Sequence, residues 1–241
     1  MPSIKDYLFD IVSHTHTLGK INLLKITGTE EETKLSSIDI EKKVIISAKF
    51  KEPLKEFADT FGMPNLQKLS IILTIPEYDE NEKINVTYKD DVPVGIHFEN
   101  GNADFKNDYR FTTKTMIMEQ LPDVTFQGAT WNVEFSPTQV DLDRLKYQYQ
   151  AHADEELCVP KTENGNLKIY FGDDSSHSGN FVFAKGVDNL AQEWSFPIQD
   201  LSAIMNLNGD VTVRISDQGV IMITVDSGLI EYDYFLPASR N

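Results

Sequence analysis

The stretch Pro197-Ile198-Gln199-Asp200-Leu201-Ser202 opens like a short helix, and Pro53-Leu54-Lys55-Glu56-Phe57-Ala58 reads as its counterpart in the other half of the chain. Proline suits the first helical position, because the N–H it lacks is one that the first turn leaves without a partner anyway. After Pro197, the residues Ile198, Leu201, Ile204 and Met205 fall on one face, and Asn208-Gly209 closes the helix. After Pro53, Leu54, Phe57, Ala58 and Phe61 do the same, and Gly62 ends it. A longer helix precedes each. In the first half it begins at Ser3, with Asp6 completing a capping box, and Ile4, Tyr7, Leu8, Ile11, Val12 and Leu18 form one stripe before Gly19. In the second it begins at Ser136-Pro137-Thr138-Gln139, with Ser136 as cap and Leu142, Leu145 and Tyr149 on the apolar side.

Around these helices the pattern is β-rich. Strands are expected at 20–27, 37–40, 44–50, 69–75, 83–89, 94–99 and 110–118, then at 131–135, 157–160, 167–171, 180–185, 211–215, 220–225 and 229–236. Polar turns separate them, among them Asp79-Glu80-Asn81-Glu82, Asp90-Asp91, Asn100-Gly101-Asn102, Asp217-Gln218-Gly219 and Asp226-Ser227-Gly228. Glu163-Asn164-Gly165-Asn166 has the form of a hairpin turn. The stretch 112–129, with Gln120-Leu121-Pro122-Asp123 and Gln127-Gly128, keeps no period and reads as a connector that starts extended. The expected class is therefore α+β, as two similar domains, 1–111 and 130–241, joined by 112–129. Each places two helices on one face of antiparallel sheet.

The chain of 241 residues is long enough for two such domains, and 40% hydrophobic with 25% charged residues is the balance of a packed core. Lys and Arg number 22 against 38 Asp and Glu, a formal charge of −16. That excludes coating nucleic acid or an anionic membrane with the whole surface, while leaving room for a local basic face. The one cysteine, Cys158, excludes an internal disulfide framework and a multi-cysteine zinc site, and a reducing cytoplasm is the expected compartment. The first residues show no signal-type apolar run, and no stretch reaches the ~20 apolar residues of a membrane span.

Catalytic signatures are missing. There is no phosphate-binding loop, dinucleotide glycine pattern, His-Glu-x-x-His, Gly-x-Ser-x-Gly or EF-hand. His14 and His16 are two apart, on different sides of a helix, and read as surface residues, while His97, His152 and His177 have no evident partners. Cys158 reads as a small buried hydrophobe, and the acidic pairs Asp90-Asp91 and Asp173-Asp174 as solvated turns. No enzyme activity, metal or cofactor is expected. What remains points to binding. Met116-Ile117-Met118-Glu119-Gln120-Leu121-Pro122 is apolar for a surface link, and is either an adaptable docking surface or the end of an edge strand. Tyr232-Asp233-Tyr234-Phe235-Leu236-Pro237 is either a buried last strand or the rim of an apolar pocket. Lys5, Lys51, Lys55, Arg144 and Lys146 lie on or beside the helices. Arg144 is nearly opposite the Leu142/Leu145/Tyr149 stripe.

The order of elements in both halves, the connector and the ending Gly228-Leu229-Ile230-Glu231-Tyr232-Asp233-Tyr234-Phe235-Leu236-Pro237 resemble a DNA-polymerase sliding clamp, of the kind found in tailed phages and in the proliferating cell nuclear antigen family. The resemblance covers nearly the whole chain and lies in architecture more than in strict motif. It implies the DNA clamp fold and a head-to-tail homotrimeric ring of six domains around duplex DNA, a non-enzymatic processivity factor for a replicative DNA polymerase with a clamp loader as further partner. Edge strands would pair across subunits. Contact with DNA would be sequence-independent and mostly with phosphates. Carried over, Lys5, Lys51 and Lys55 face DNA in the first domain and Arg144 and Lys146 in the second, with Lys114 near the connector's start. Partner peptides would insert into a pocket of Met116, Met118, Leu121 and Pro122 with Tyr232, Leu236 and Pro237. The compartment is the cytoplasm, or the host cytoplasm for a bacteriophage protein. The alternatives are a β-rich viral structural or assembly protein that does not encircle DNA, and a β-sandwich hydrolase with an unlocated carboxylate pair.

Overall fold

A computed structural model describes residues 2–78, 82–123, 128–173, 175 and 177–239. The turn at Asp79-Glu80-Asn81, the connector residues 124–127 and Asp174 lie outside the described residues. The chain forms two compact units, and the division is not a single cut. One unit takes Met1–Lys42, Ile46–Thr125 and Ser227–Tyr232; the other takes Lys43–Ile45, Phe126–Asp226 and Asp233–Asn241.

The first unit opens with α1 (Ile4–His14), whose capping box forms as its sequence requires. The Ser3 amide donates to Asp6 Oδ2 at 2.7 Å and the Asp6 amide to Ser3 Oγ at 3.3 Å. Then follow β1 (Leu23–Gly28), β2 (Thr33–Ile38), β3 (Ile45–Phe50) and β4 (Asp59–Pro64), in the sheet order β4-β1-β2-β3. The expected helix at Pro53 is not there. A single 3-10 turn, Lys55–Phe57, stands in its place, because Phe57 is drawn fully into the core with Phe50, Phe61 and Phe111 around it. The next six residues that form a strand pair with β1 along its whole length.

The second helix of this unit is α2 (Leu66–Leu73), where a strand was expected. Asn65 caps it by accepting from the Lys68 amide at 3.3 Å, and Leu66, Leu69, Ile72 and Leu73 give a buried helical face. The β-branched pair Ile71-Ile72 favours a strand locally, and this packing overrides it. A three-stranded sheet follows: β5 (Lys83–Lys89), β6 (Val92–Glu99) and β7 (Lys106–Arg110), in that order.

The connector is not extended at its start. Residues Lys114–Gln120 form α3. Just before it, Thr112 exchanges two backbone hydrogen bonds with Gly62 on β4, at 2.9 and 2.8 Å. A Cβ on Gly62 would meet Ile117 Cδ1 at 2.8 Å, so the Ile117 side chain would have to shift to admit one. That close approach lets Ile117 sit fully buried on β4.

The second unit contains β8 (Val133–Phe135), α4 (Gln139–Ala151), β9 (Leu157–Glu163), β10 (Asn166–Phe171), β11 (Gly179–Lys185), β12 (Phe196–Pro197), α5 (Ile198–Met205), β13 (Asp210–Ser216), β14 (Val220–Asp226) and most of β15 (Ile230–Pro237). Its sheets run β11-β10-β9-β12 and β15-β14-β13-β8. The α4 cap is Thr138, two residues beyond the expected Ser136, and Asp141 completes its capping box. The hairpin between β9 and β10 uses Asn164 and Gly165, both at positive φ, the conformation that an Asn-Gly turn supplies. The core of this unit joins Phe135, Phe181 and Phe183 in edge-on ring contacts of 5.2 and 5.5 Å.

The order of elements repeats within the chain. Helix then three strands, one strand, helix then three strands describes the first unit, and the second follows the same order behind β8. The true sequence echo lies one element later than the proline stretches predict. Leu66-Gln67-Lys68-Leu69-Ser70-Ile71-Ile72-Leu73 in α2 matches Ile198-Gln199-Asp200-Leu201-Ser202-Ala203-Ile204-Met205 in α5, with glutamine, leucine, serine and isoleucine identical. In both, the first, fourth, seventh and eighth residues are buried.

Candidate nucleic-acid interface and docking segment

Each unit packs a pair of helices against each other, α1 on α2 and α4 on α5. The outward faces are therefore set by what each helix leaves uncovered. On α1, Lys5 is half-buried. Its amine donates to the Tyr78 carbonyl and lies 3.3 Å from Glu82 Oε1. Asp6 stays ionised because the Ser3 amide and hydroxyl hold its carboxyl below the usual range. Asp10 accepts from Tyr232 Oη at 2.8 Å and Ser227 Oγ at 3.0 Å, and pairs with His14 at 3.3 Å. His14 is buried and stacks on Tyr232 with ring centroids 4.7 Å apart, so it is a core histidine and not the expected surface residue.

Lys51 follows β3 and Lys55 lies in the 3-10 turn. Both are exposed, and the helix expected from Pro53, which would have carried Lys55 with Lys51 beside it, is replaced by that turn. Lys114 opens α3 and its amine meets Asp59 Oδ1 at 3.2 Å. On α4, Arg144 and Lys146 are exposed. The Arg144 guanidinium lies 5.5 Å above the Phe181 ring, so it leans over the neighbouring strand. Neither has a carboxylate partner among the described residues. Lys68 on α2 is a further exposed cation, missed because its segment reads as a strand; the Asn65 cap and the leucine spacing were the signals that could have found it.

The connector places Met116 outward at 52% exposure, Met118 half-buried, Leu121 buried and Pro122 exposed. Its end is fixed by a residue that sequence reasoning passed over. Lys25, buried on β1, donates to the Leu121 carbonyl at 2.8 Å and to Asp123 Oδ1 at 2.7 Å. A cation at a helix C-terminus satisfies a carbonyl that the helix leaves open. The other residues expected in the pocket lie on β15. Tyr232 is buried in the first unit, and in the second Leu236 is buried while Pro237 is exposed. So β15 is a buried last strand along most of its length. The tail beyond it is held by Ala238 N to the Gly219 carbonyl at 2.9 Å and Ser239 N to the Ser195 carbonyl at 2.8 Å.

Cys158 is fully buried and desolvation pushes its thiol up to about 12. Among the described residues no cluster of His, Cys, Asp and Glu could hold a metal ion, and no helix is long and apolar enough to cross a membrane.

No protein-family model matches the chain, and no curated protein matches it in sequence. Solved structures match it in shape along its length. A PCNA of A. fulgidus, solved with the C-terminal region of FEN-1 bound, superposes with a TM-score of 0.70 at 10% identity, covering 99% of this chain and 95% of that one. PCNA from Thermococcus kodakaraensis gives 0.69 at 11% identity, with 96% and 97% covered. PCNA from Entamoeba histolytica gives 0.69 at 12% identity, with 98% and 94% covered. The fold is that of the PCNA-type sliding clamps. The clamp fold explains the internal repeat, with one helix pair and its sheets per unit. At these identities the likeness lies in architecture, and side-chain chemistry has to be read from this chain alone.

Proposed function

We propose that the protein is a sliding clamp, a non-enzymatic processivity factor. Three copies close head to tail into a ring around duplex DNA, and the ring tethers a replicative DNA polymerase after a loader has placed it. The observation that carries this reading is the clamp fold over essentially the whole chain, repeated in both units. An encircling ring needs no strong grip on DNA, so a net charge of −16 is compatible with it, provided that a few cations face the duplex. Lys5, Lys51, Lys55, Lys114, Arg144 and Lys146 are the proposed DNA-facing set. Lys5 and Lys114 already have carboxylate partners and contribute least.

The proposed peptide-docking residues are Met116, Met118, Leu121 and Pro122 with Tyr232, Leu236 and Pro237. Of these Met116, Pro122 and Pro237 are exposed, and a partner's apolar anchors would meet them first. The test is topological. Protein loaded on nicked circular DNA should stay bound through a high-salt wash and be released once the circle is linearised. Equal loss from circles and linear DNA would refute encirclement and leave a structural or assembly role.

A further inference from the structure

Sulfur is unevenly exposed in this chain, which has six methionines and one cysteine. Met63, Met205 and Met222 are buried in the cores of their units. Met1 lies outside the described residues. Among the described methionines Met116 alone is exposed, with half of its surface in solvent, and Met118 is half-buried. Both lie on α3, so the sulfur that solvent reaches is gathered on one short helix.

The contacts that hold α3 leave Met116 out. Ile117 and Leu121 are buried, Thr112 pairs with Gly62 just before the helix, and Lys25 donates to the Leu121 carbonyl at its end. A change at the Met116 sulfur therefore leaves the docking of α3 on its sheet in place. Cys158 does not compete for an oxidant. It is sealed in the core, desolvation keeps its thiol protonated, and the thiolate is the reactive form.

A thioether is oxidised by direct oxygen transfer. With hydrogen peroxide, the sulfur lone pair attacks the far oxygen, the S–O bond forms as the O–O bond breaks, and a proton moves to the departing oxygen. Sulfur is oxidised, and the peroxide is reduced to water. The product is a polar, chiral sulfoxide where a flexible apolar side chain stood, and sulfoxide reductases reverse it. On a surface that binds through adaptable methionine, that change removes the apolar contact.

We propose that Met116 is a site of reversible oxidation by hydroperoxides, and that its sulfoxide switches off the apolar outward face of α3. The site stands on exposure within this chain. The switch rests on the docking role proposed above for Met116 and deepens it to a regulation of that face. The fold survives the modification because the added oxygen enters water and not the core. Met118 reacts more slowly, in keeping with its partial burial.

The experiment treats the folded protein with limiting hydrogen peroxide, quenches the reaction and maps the gain of one oxygen at each methionine by peptide mass spectrometry. Met116 should react fastest and Met118 next, with Met63, Met205 and Met222 about tenfold or more slower than Met116. At the dose that converts Met116, the unfolding transition should not move. Stimulation of the replicative DNA polymerase of the same source, on a primed circular template, should fall several-fold in proportion to the Met116 sulfoxide. It should return after treatment with methionine sulfoxide reductases. Equal rates at Met116 and Met63 would overturn the site. Full stimulation by protein whose Met116 is converted would overturn the switch alone. Untreated protein that never stimulates the polymerase would sink the docking reading and the switch with it, while the oxidation map still decides the site.

Discussion

The two helix pairs occupy the same places in their units and are built to different degrees of burial. In the first unit α1 buries Tyr7, Leu8, Ile11, Val12 and His14, whereas in the second α4 buries Leu145 alone. The partner helices reverse the contrast, since α2 and α5 share their sequence pattern and bury the same four apolar positions, with Asp200 and Ser202 buried in α5 as well. The difference separates two kinds of information. Capping boxes and the α2/α5 core pattern repeat because they fix the architecture. The outward faces of α1 and α4 do not repeat, because the fold leaves their chemistry free.

The strongest test of the shared architecture is a matched pair of truncations. Leu69 and Leu201 hold equivalent positions and are both fully buried, so Leu69→Ala and Leu201→Ala should each cost about 2–5 kcal/mol in denaturant unfolding. A variant of either that unfolds like wild type would break the equivalence of α2 and α5.

A smaller effect sharpens the contrast at the connector, whose helix α3 docks on β4 of the first unit. Lys25→Met removes the amine from the Leu121 carbonyl and Asp123, a cost of about 1–3 kcal/mol for a buried polar group left without its partner. Hydrogen exchange should rise through 114–123 and stay unchanged in β13 and β14. Unchanged exchange at the connector would remove Lys25 from this role.

The smallest effect compares carboxylates on the two units' sheets. Lys106 at 2.7 Å and Lys83 at 3.1 Å hold the Glu99 carboxyl down at about 2, while Lys168 and then Tyr170 hold Glu163 below its usual range. A depressed carboxyl stabilises the fold above its unfolded value, and this contribution is lost as pH falls through its folded value. For Glu99 that loss runs from its ordinary 4.5 down to about 2. Both glutamates are at the surface, so the effect is on titration more than on stability. An NMR titration should place Glu99 near 2 and show it moving up in Lys106→Ala. An ordinary midpoint in the wild type would contradict the network.

Much of this was legible in the sequence, and the exceptions have physical causes. The Ser3/Asp6 cap, the Asn164-Gly165 turn and the period-two strands of the second half announce themselves locally, as does the helix after Pro197. The helix expected at Pro53 fails because the ring of Phe57 is worth more in the core than a further helical turn is in solvent. Helix α2 was hidden by Ile71-Ile72, whose strand preference yields to packing on α1. The connector helix was hidden because its docking depends on Gly62, Ile117 and Lys25, which lie on three different elements and meet only in three dimensions. The exposure of Arg144 and Lys146 on α4 was readable from helical spacing. That Lys5 was already engaged by Glu82 was not, since their pairing depends on the fold around Tyr78.

A closed ring made from copies of one chain is the geometry on which the proposed function stands. Electron microscopy of the protein, with and without duplex DNA, shows that geometry or its absence. Annular particles of three subunits, with density for the duplex through the hole, are the predicted result. Uniform monomers at high concentration, or assemblies with no central opening wide enough for a duplex, would contradict it.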